Sequence, residues 1–220
     1  MNREEMLVKN FQNVQAALLA ACERSKRNPN EITLLAVTKY AKDEDVLTLL
    51  QKGLIRHVGE SRVQQALARW TRPDFARFDT VKHFIGHLQK NKAAKAARFF
   101  DFIDSLDDWD TALTLERALP QGKTLRALVQ VKLTDKDTQS GLPLAQAREL
   151  AKRLKELSRV RVCGYMAIAP QGAQTAELRR LFAQLKQAFD EDFAPGQERY
   201  LSLGMSQDFE TAVEEGSSLP

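Results

Sequence analysis

A chain of 220 residues, 43% hydrophobic and 28% charged, can build one sizeable core and is short for two ordinary domains, so residues 1–220 are expected to form a single domain. The formal net charge of +4 admits an anionic ligand without calling for nucleic acid. No run approaches the ~18 apolar residues of a membrane span, the opening Met-Asn-Arg-Glu-Glu lacks the apolar centre of a secretory signal, and the isolated Cys22 and Cys163 read as free thiols of a reducing cytoplasm.

Residues 4–27 place Met6, Leu7, Phe11, Val14, Leu18 and Cys22 at helical spacing and end in a basic turn. Asn28-Pro29-Asn30 stops that helix. Short apolar runs then recur: ITLLAVTK, HVGE, KHFIGH, FIDSL, LRALVQVKL, RVCGYMAI and YLSLG. Amphipathic stretches begin after them, near Asp43, Arg62, Lys90, Asp108, Leu144, Thr175 and Ser206. Runs with little polar alternation suit strands buried on both faces, as in a parallel sheet. The rhythm predicts an α/β fold.

A doubly wound sheet would usually carry a glycine-rich phosphate turn after an early strand, and no GxGxxG occurs. A (β/α)8 TIM-type barrel with an extra N-terminal helix fits the even spacing better. Its eighth strand is expected to be missing or truncated, because the sequence closes at Ser217-Ser218-Leu219-Pro220. The longest polar connections fall at 71–81, 134–141 and 193–199, and none reads as an interdomain linker.

In such a barrel chemistry collects at the C-terminal strand ends. Lys39 is the one amine among the residues closing the runs. It could be a snorkelling lysine at a strand end, or an amine kept dry enough to lose its proton and attack a carbonyl. Gly204-Met205-Ser206, a glycine turn running toward a helix with Ser206 at the cap, could present backbone N–H groups and a hydroxyl to a phosphate. It could equally be an ordinary serine N-cap. His83 and His87 share a face if HFIGH is a strand, but no Asp or Glu in the sequence marks a third ligand, and no metal is expected. The basic helix with Lys90, Lys92, Lys95 and Arg98 reads as a solvated face.

Five blocks in order, LLAVTKY, VGESRVQQA, HFIGHLQKNKAA, GYMAI and LSLGMSQDFETAVEEGSS, give the chain its resemblance to the pyridoxal phosphate homeostasis proteins. These are small barrels like the N-terminal domain of alanine racemase. The resemblance implies that pyridoxal 5'-phosphate (PLP) is the cofactor, held as a Schiff base on Lys39, with Ser61, Gly204, Met205 and Ser206 around it and no catalytic residues. It implies a cytoplasmic monomer that buffers PLP or carries it to PLP-dependent apoenzymes, with no nucleic acid or membrane partner. A PLP-dependent amino-acid racemase on the same barrel is the alternative; such enzymes add a β-domain and a catalytic tyrosine, a role for which Tyr40, Tyr165 and Tyr200 have no evident claim. A scaffold without cofactor is a third reading.

Three positions depart from the family pattern. Ser61 stands where an asparagine is common, and Gln139 where a lysine often precedes Gly141. The Arg-Ile-Gly eighth strand, whose loop completes the phosphate cup, is not in the sequence, so strands one and seven are expected to keep unpaired edges.

Overall fold

Asn2 opens the first helix by a reciprocal cap: its Oδ1 accepts from the Glu5 N–H at 2.8 Å, and Glu5 Oε2 accepts from the Asn2 N–H at 2.9 Å. The helix it starts, α1, spans Arg3–Arg24 and buries only Leu18, Ala21 and Cys22. The computed structural model describes residues 2–134 and 140–220, so Gln139 lies outside the described residues.

Strands and helices then alternate as the apolar runs predict. They are β1 (Leu35–Val37), α2 (Asp43–Gln51), β2 (His57–Glu60), α3 (Val63–Trp70), α4 (Pro73–Ala76), β3 (Val81–Phe84), α5 (Lys90–Phe99), β4 (Phe102–Leu106) and α6 (Trp109–Ala118). β5 (Leu125–Gln130), α7 (Leu144–Leu154), β6 (Val160–Met166), α8 (Thr175–Asp192), β7 (Tyr200–Ser202) and α9 (Phe209–Glu214) complete the order. The seven strands form one sheet in chain order, and each pairs in parallel with its neighbour. This is the curled α/β arrangement of a TIM-type barrel. No eighth strand forms among the described residues.

Both faces of the sheet are covered, which is why the strands read as near-continuous apolar runs. Outward residues such as Val58, Phe84, Ile103 and Tyr165 pack with Trp70, Leu115 and Phe182 of the surrounding helices. Inward residues form a smaller core of Phe102, Leu128, Cys163, Met166 and Leu219, with Leu35, Val81 and Tyr200 against it. The 71–81 connection is more than a polar loop: Pro73 starts the short α4, and fully buried Phe75 meets Trp70 edge-on at 5.2 Å.

The edges of β1 and β7 are not left bare, contrary to expectation. Thr33 N–H donates to the Ser218 carbonyl and Leu35 N–H to the Pro220 carbonyl, both at 2.9 Å. On the other side the Ser218 N–H donates to the Leu201 carbonyl at 2.9 Å, and Ser217 Oγ donates to that of Leu203 at 2.8 Å. Residues 217–220 therefore bridge β7 to β1 at the base, because unpaired backbone groups beside a buried Leu219 would be costly. No helix among the described residues is long and apolar enough to cross a membrane.

Candidate functional site

Side chains alternate across a strand, so β1 fixes which of its residues face the interior up to the turn that carries Lys39. Leu35 joins the inner core and Ala36 the outer one. Val37 is inward again and 50% exposed, facing the opening of the curled sheet. Thr38 N–H continues the ladder to the Gly59 carbonyl at 3.0 Å, and the buried Thr38 side chain turns outward to Glu60 Oε1 at 2.8 Å. Lys39 is next, in the turn that follows β1. It is half-buried, with Nζ 5.4 Å from the ring centroid of Tyr40, which is itself 83% exposed.

The neighbouring strand supplies a bare wall. A methyl group at Gly59 would lie 3.3 Å from Ile85 Cδ1 and 3.4 Å from Val37 Cγ2, so only glycine leaves this stretch of the inner surface flat. Glu60 points outward and is buried. Ser61 follows β2, half-buried, two residues beyond Gly59 as Lys39 is beyond Val37; the pairing of Val37 with Gly59 makes the two neighbours at the same end of the sheet.

Gly204, Met205 and Ser206 follow β7 at that same end, on the opposite edge of the sheet. Here one expectation is corrected: Ser206 does not cap a helix. α9 begins at Phe209, and Asp208 precedes it as the N-cap residue. The Asp208 side chain does not cap α9 either; its carboxylate accepts the Met205 N–H at 2.6 Å and ties the intervening turn. Gly204 makes the turn possible with φ +106°. The Met205 N–H is thus engaged. The N–H groups of Ser206 and Gln207 and the exposed Ser206 hydroxyl donate to no acceptor among the described residues.

The histidines separate. β3 ends at Phe84, so His83 and His87 do not form one face of a longer strand. His87 lies at the rim, 3.8 Å from Asp107, whose carboxyl is pushed up by burial. His83 is fully buried, stacks on Phe102 at 4.1 Å, and contacts Asp104 Oδ2 through Nδ1 at 2.9 Å. His57 Nδ1 meets His83 Nε2 at 3.0 Å. Burial first, then His83, Arg56 and Arg126, bring the His57 pKa down to about 4, so its ring is neutral at pH 7. The line is satisfied when His57 donates to His83 and His83 donates to Asp104. Their nitrogens face one another rather than a common point, and among the described residues no group of three His, Cys, Asp or Glu could hold a metal ion.

Asp104 and Glu60 are buried polar groups to which the sequence reading gave no interior role. Asp104 Oδ1 is buried without a hydrogen-bond partner. Glu60 Oε1 collects Thr38 Oγ1, Arg69 Nη1 at 2.9 Å and Trp70 Nε1 at 3.1 Å. Their one sequence signal is an acid inside an otherwise apolar run. Of the tyrosines, Tyr165 donates to Asp192 at 2.7 Å and is pushed up by burial and by that carboxylate. Tyr200 lies at the start of β7, near Glu198.

Residues 12–218 match the family model described as alanine racemase, N-terminal domain. The chain is 34% identical over 217 residues to the pyridoxal phosphate homeostasis protein of Escherichia coli K12, covering 96% of this chain and 91% of that one. The structure of PipY from Synechococcus elongatus PCC7942 with PLP bound superposes with a TM-score of 0.78 at 34% identity, over 92% of this chain and 95% of that one. Alanine racemase of Clostridium difficile 630, at 11% identity and a TM-score of 0.68, shares the fold over 91% of this chain and 51% of its own. The chain belongs to the alanine racemase N-terminal domain family and, within it, to the pyridoxal phosphate homeostasis proteins.

Proposed function

We propose that this protein is a cytoplasmic, monomeric PLP-binding protein that holds the cofactor as a Schiff base on Lys39 and yields it to PLP-dependent apoenzymes, without catalytic turnover of its own. The observation that carries this reading is Lys39, a half-buried residue in the turn after β1, next to the strand end whose wall is flat at Gly59. PLP brings an aldehyde, a pyridine ring and a phosphate, and the residues present fit all three. Lys39 supplies the amine for the aldehyde. Val37, Gly59 and Ile85 leave a smooth apolar surface for a ring. The Ser206 and Gln207 N–H groups with the Ser206 hydroxyl can face the phosphate, and Ser61 lies beside Lys39. Asp104 Oδ1 is a free interior acceptor for a protonated ring nitrogen. The structure of PipY with PLP bound supports the same reading.

When bound, the cofactor supplies an electrophilic carbon and an electron-withdrawing ring. Racemisation would further require a proton donor and acceptor on opposite faces and an enclosure against water. Tyr165 is engaged with Asp192 in the outer layer, and Val37 stands open at the mouth; both favour storage over turnover. Two free, buried thiols support a reducing compartment.

Borohydride reduction in the presence of PLP, followed by peptide mass mapping, tests the assignment. The label is expected on Lys39 and absent from Lys39→Ala, whose fold should persist because the side chain sits at the rim. A label on another lysine with Lys39 unmodified would overturn it.

A further inference from the structure

On the outer face of the sheet, directly behind Lys39, a single guanidinium holds the turn that carries the amine. Arg69 sits in the last turn of α3, and its side chain is only 16% exposed. Nη1 donates to the Thr38 carbonyl at 2.7 Å and to Glu60 Oε1 at 2.9 Å. Nη2 donates to the Ala41 carbonyl at 2.9 Å, and Nε to Asp43 Oδ1 at 2.8 Å. The two carbonyls bracket Lys39 and Tyr40, and the Ala41 N–H closes the turn on the Thr38 carbonyl at 3.0 Å. Glu60 anchors the fork to the end of β2, and Asp43 to the start of α2. Three elements therefore meet on one rigid, planar group, a geometry that a lysine cannot reproduce.

Lysine has a long stem with many rotamers, so the direction of its amine is set first by the backbone at its root. We propose that Arg69 is the positioning residue of this site: it fixes the Thr38–Ala41 turn and so aims Lys39 into the barrel. The proposal rests on the reading of Lys39 as the PLP-binding amine. In that reaction the amine nitrogen adds to the aldehyde carbon, and the carbonyl oxygen leaves as water with the two amine protons. Arg69 touches none of these atoms. Its contribution is orientation, which governs how often a tethered nucleophile stands within attack distance.

Arg69→Lys keeps a positive charge beside Glu60 but can serve only part of the fork. Arg69→Met with Glu60→Gln removes both charges together, so that no buried carboxylate is left unpaired. Both are compared with wild type by melting temperature, by the rate of formation of the reducible Lys39 adduct, and by amide exchange at Ala41 in the PLP-free protein. Both are expected to stay folded. Adduct formation should slow by about ten-fold in Arg69→Lys and more in the double variant, and exchange at Ala41, whose N–H closes the turn, should rise while that of Leu50 in α2 is unchanged. Wild-type adduct rates and wild-type exchange in a folded variant would overturn the proposal. Global unfolding of both variants would overturn it too, because the role would then belong to the fold and not to the turn. A wild-type protein that forms no Lys39 adduct would refute the PLP reading instead, and the exchange measurement would still judge the clamp.

Discussion

His83 and Asp104 are both fully buried and meet at 2.9 Å in the interior of the curled sheet, one imidazole nitrogen against one carboxylate oxygen. A polar pair in an apolar core must satisfy itself. Asp104→Ala leaves the His83 Nδ1–H without an acceptor and should cost about 1–3 kcal/mol of stability. Asp104→Asn keeps size and an acceptor and should cost less. Urea unfolding of the two variants checks the order, and an equal loss would mean that the charge, not the hydrogen bond, matters.

The same line makes stability depend on pH. The His57 pKa is about 4 in the folded chain and near 6.5 when unfolded. The unfolded state therefore binds more protons between these values, so the contribution of His57 is complete above pH 6.5 and is lost as pH falls toward 4. Burial is the main cause, His83, Arg56 and Arg126 act in the same direction, and Asp101 opposes them. Melting temperatures at pH 7.5, 6.0 and 5.0 should fall more steeply for wild type than for His57→Gln. Parallel curves would show that this ring is not linked to folding.

Much of the fold is legible in the sequence because the strands bury both faces and stand out as apolar runs. Lys39 is legible for the same reason, as the amine at the end of one run. The interior partners are not. Which inward residues meet depends on register, and β3 lies against β4 with His83 opposite Phe102 and Phe84 opposite Ile103. Asp104 therefore gives no sign of its histidine until the strands are laid side by side. The start of α9 is missed for a local reason: residues 206–208 form a turn ahead of the helix, tied by the Asp208 carboxylate to the Met205 N–H, and a sequence pattern does not separate such a turn from a first helical turn. Arg69 reads as one more basic residue on a helix, since its partners are mostly carbonyls, which no sequence pattern marks.

Gly204 gives a test of the turn after β7. A Cβ there would lie 2.8 Å from Phe209 Cα and 3.0 Å from Ala212 Cβ, on top of the unfavourable φ of +106°. Gly204→Ala should destabilise by about 1–3 kcal/mol and weaken PLP binding. Gly53→Ala is the control, with φ +66° and nothing within 4 Å of the new methyl; it should cost about 1 kcal/mol and leave binding unchanged. Similar losses in both would mean that crowding against α9 is unimportant.

Ser61 is one atom layer too short to do what an asparagine could do from the same position. One added neutral hydrogen bond is worth about 1 kcal/mol, roughly a five-fold change in affinity. Ser61→Asn should therefore tighten PLP binding by about that factor in a spectrophotometric titration. No change in affinity would mean that position 61 does not reach the cofactor.

The bridging of Thr33 and Leu35 to Ser218 and Pro220 has a consequence for how the chain is made. β1 leaves the ribosome well before the partners of its second edge, which stand at positions 218 and 220. Contacts of such long sequence separation form only after the intervening loop has closed, and they slow folding. The strand that carries Lys39 is on this topology an early product that must wait for a late one. A nascent chain would hold β1 with one side unpaired, and the amine would take its final place only once the rest of the sheet stood ready to receive it.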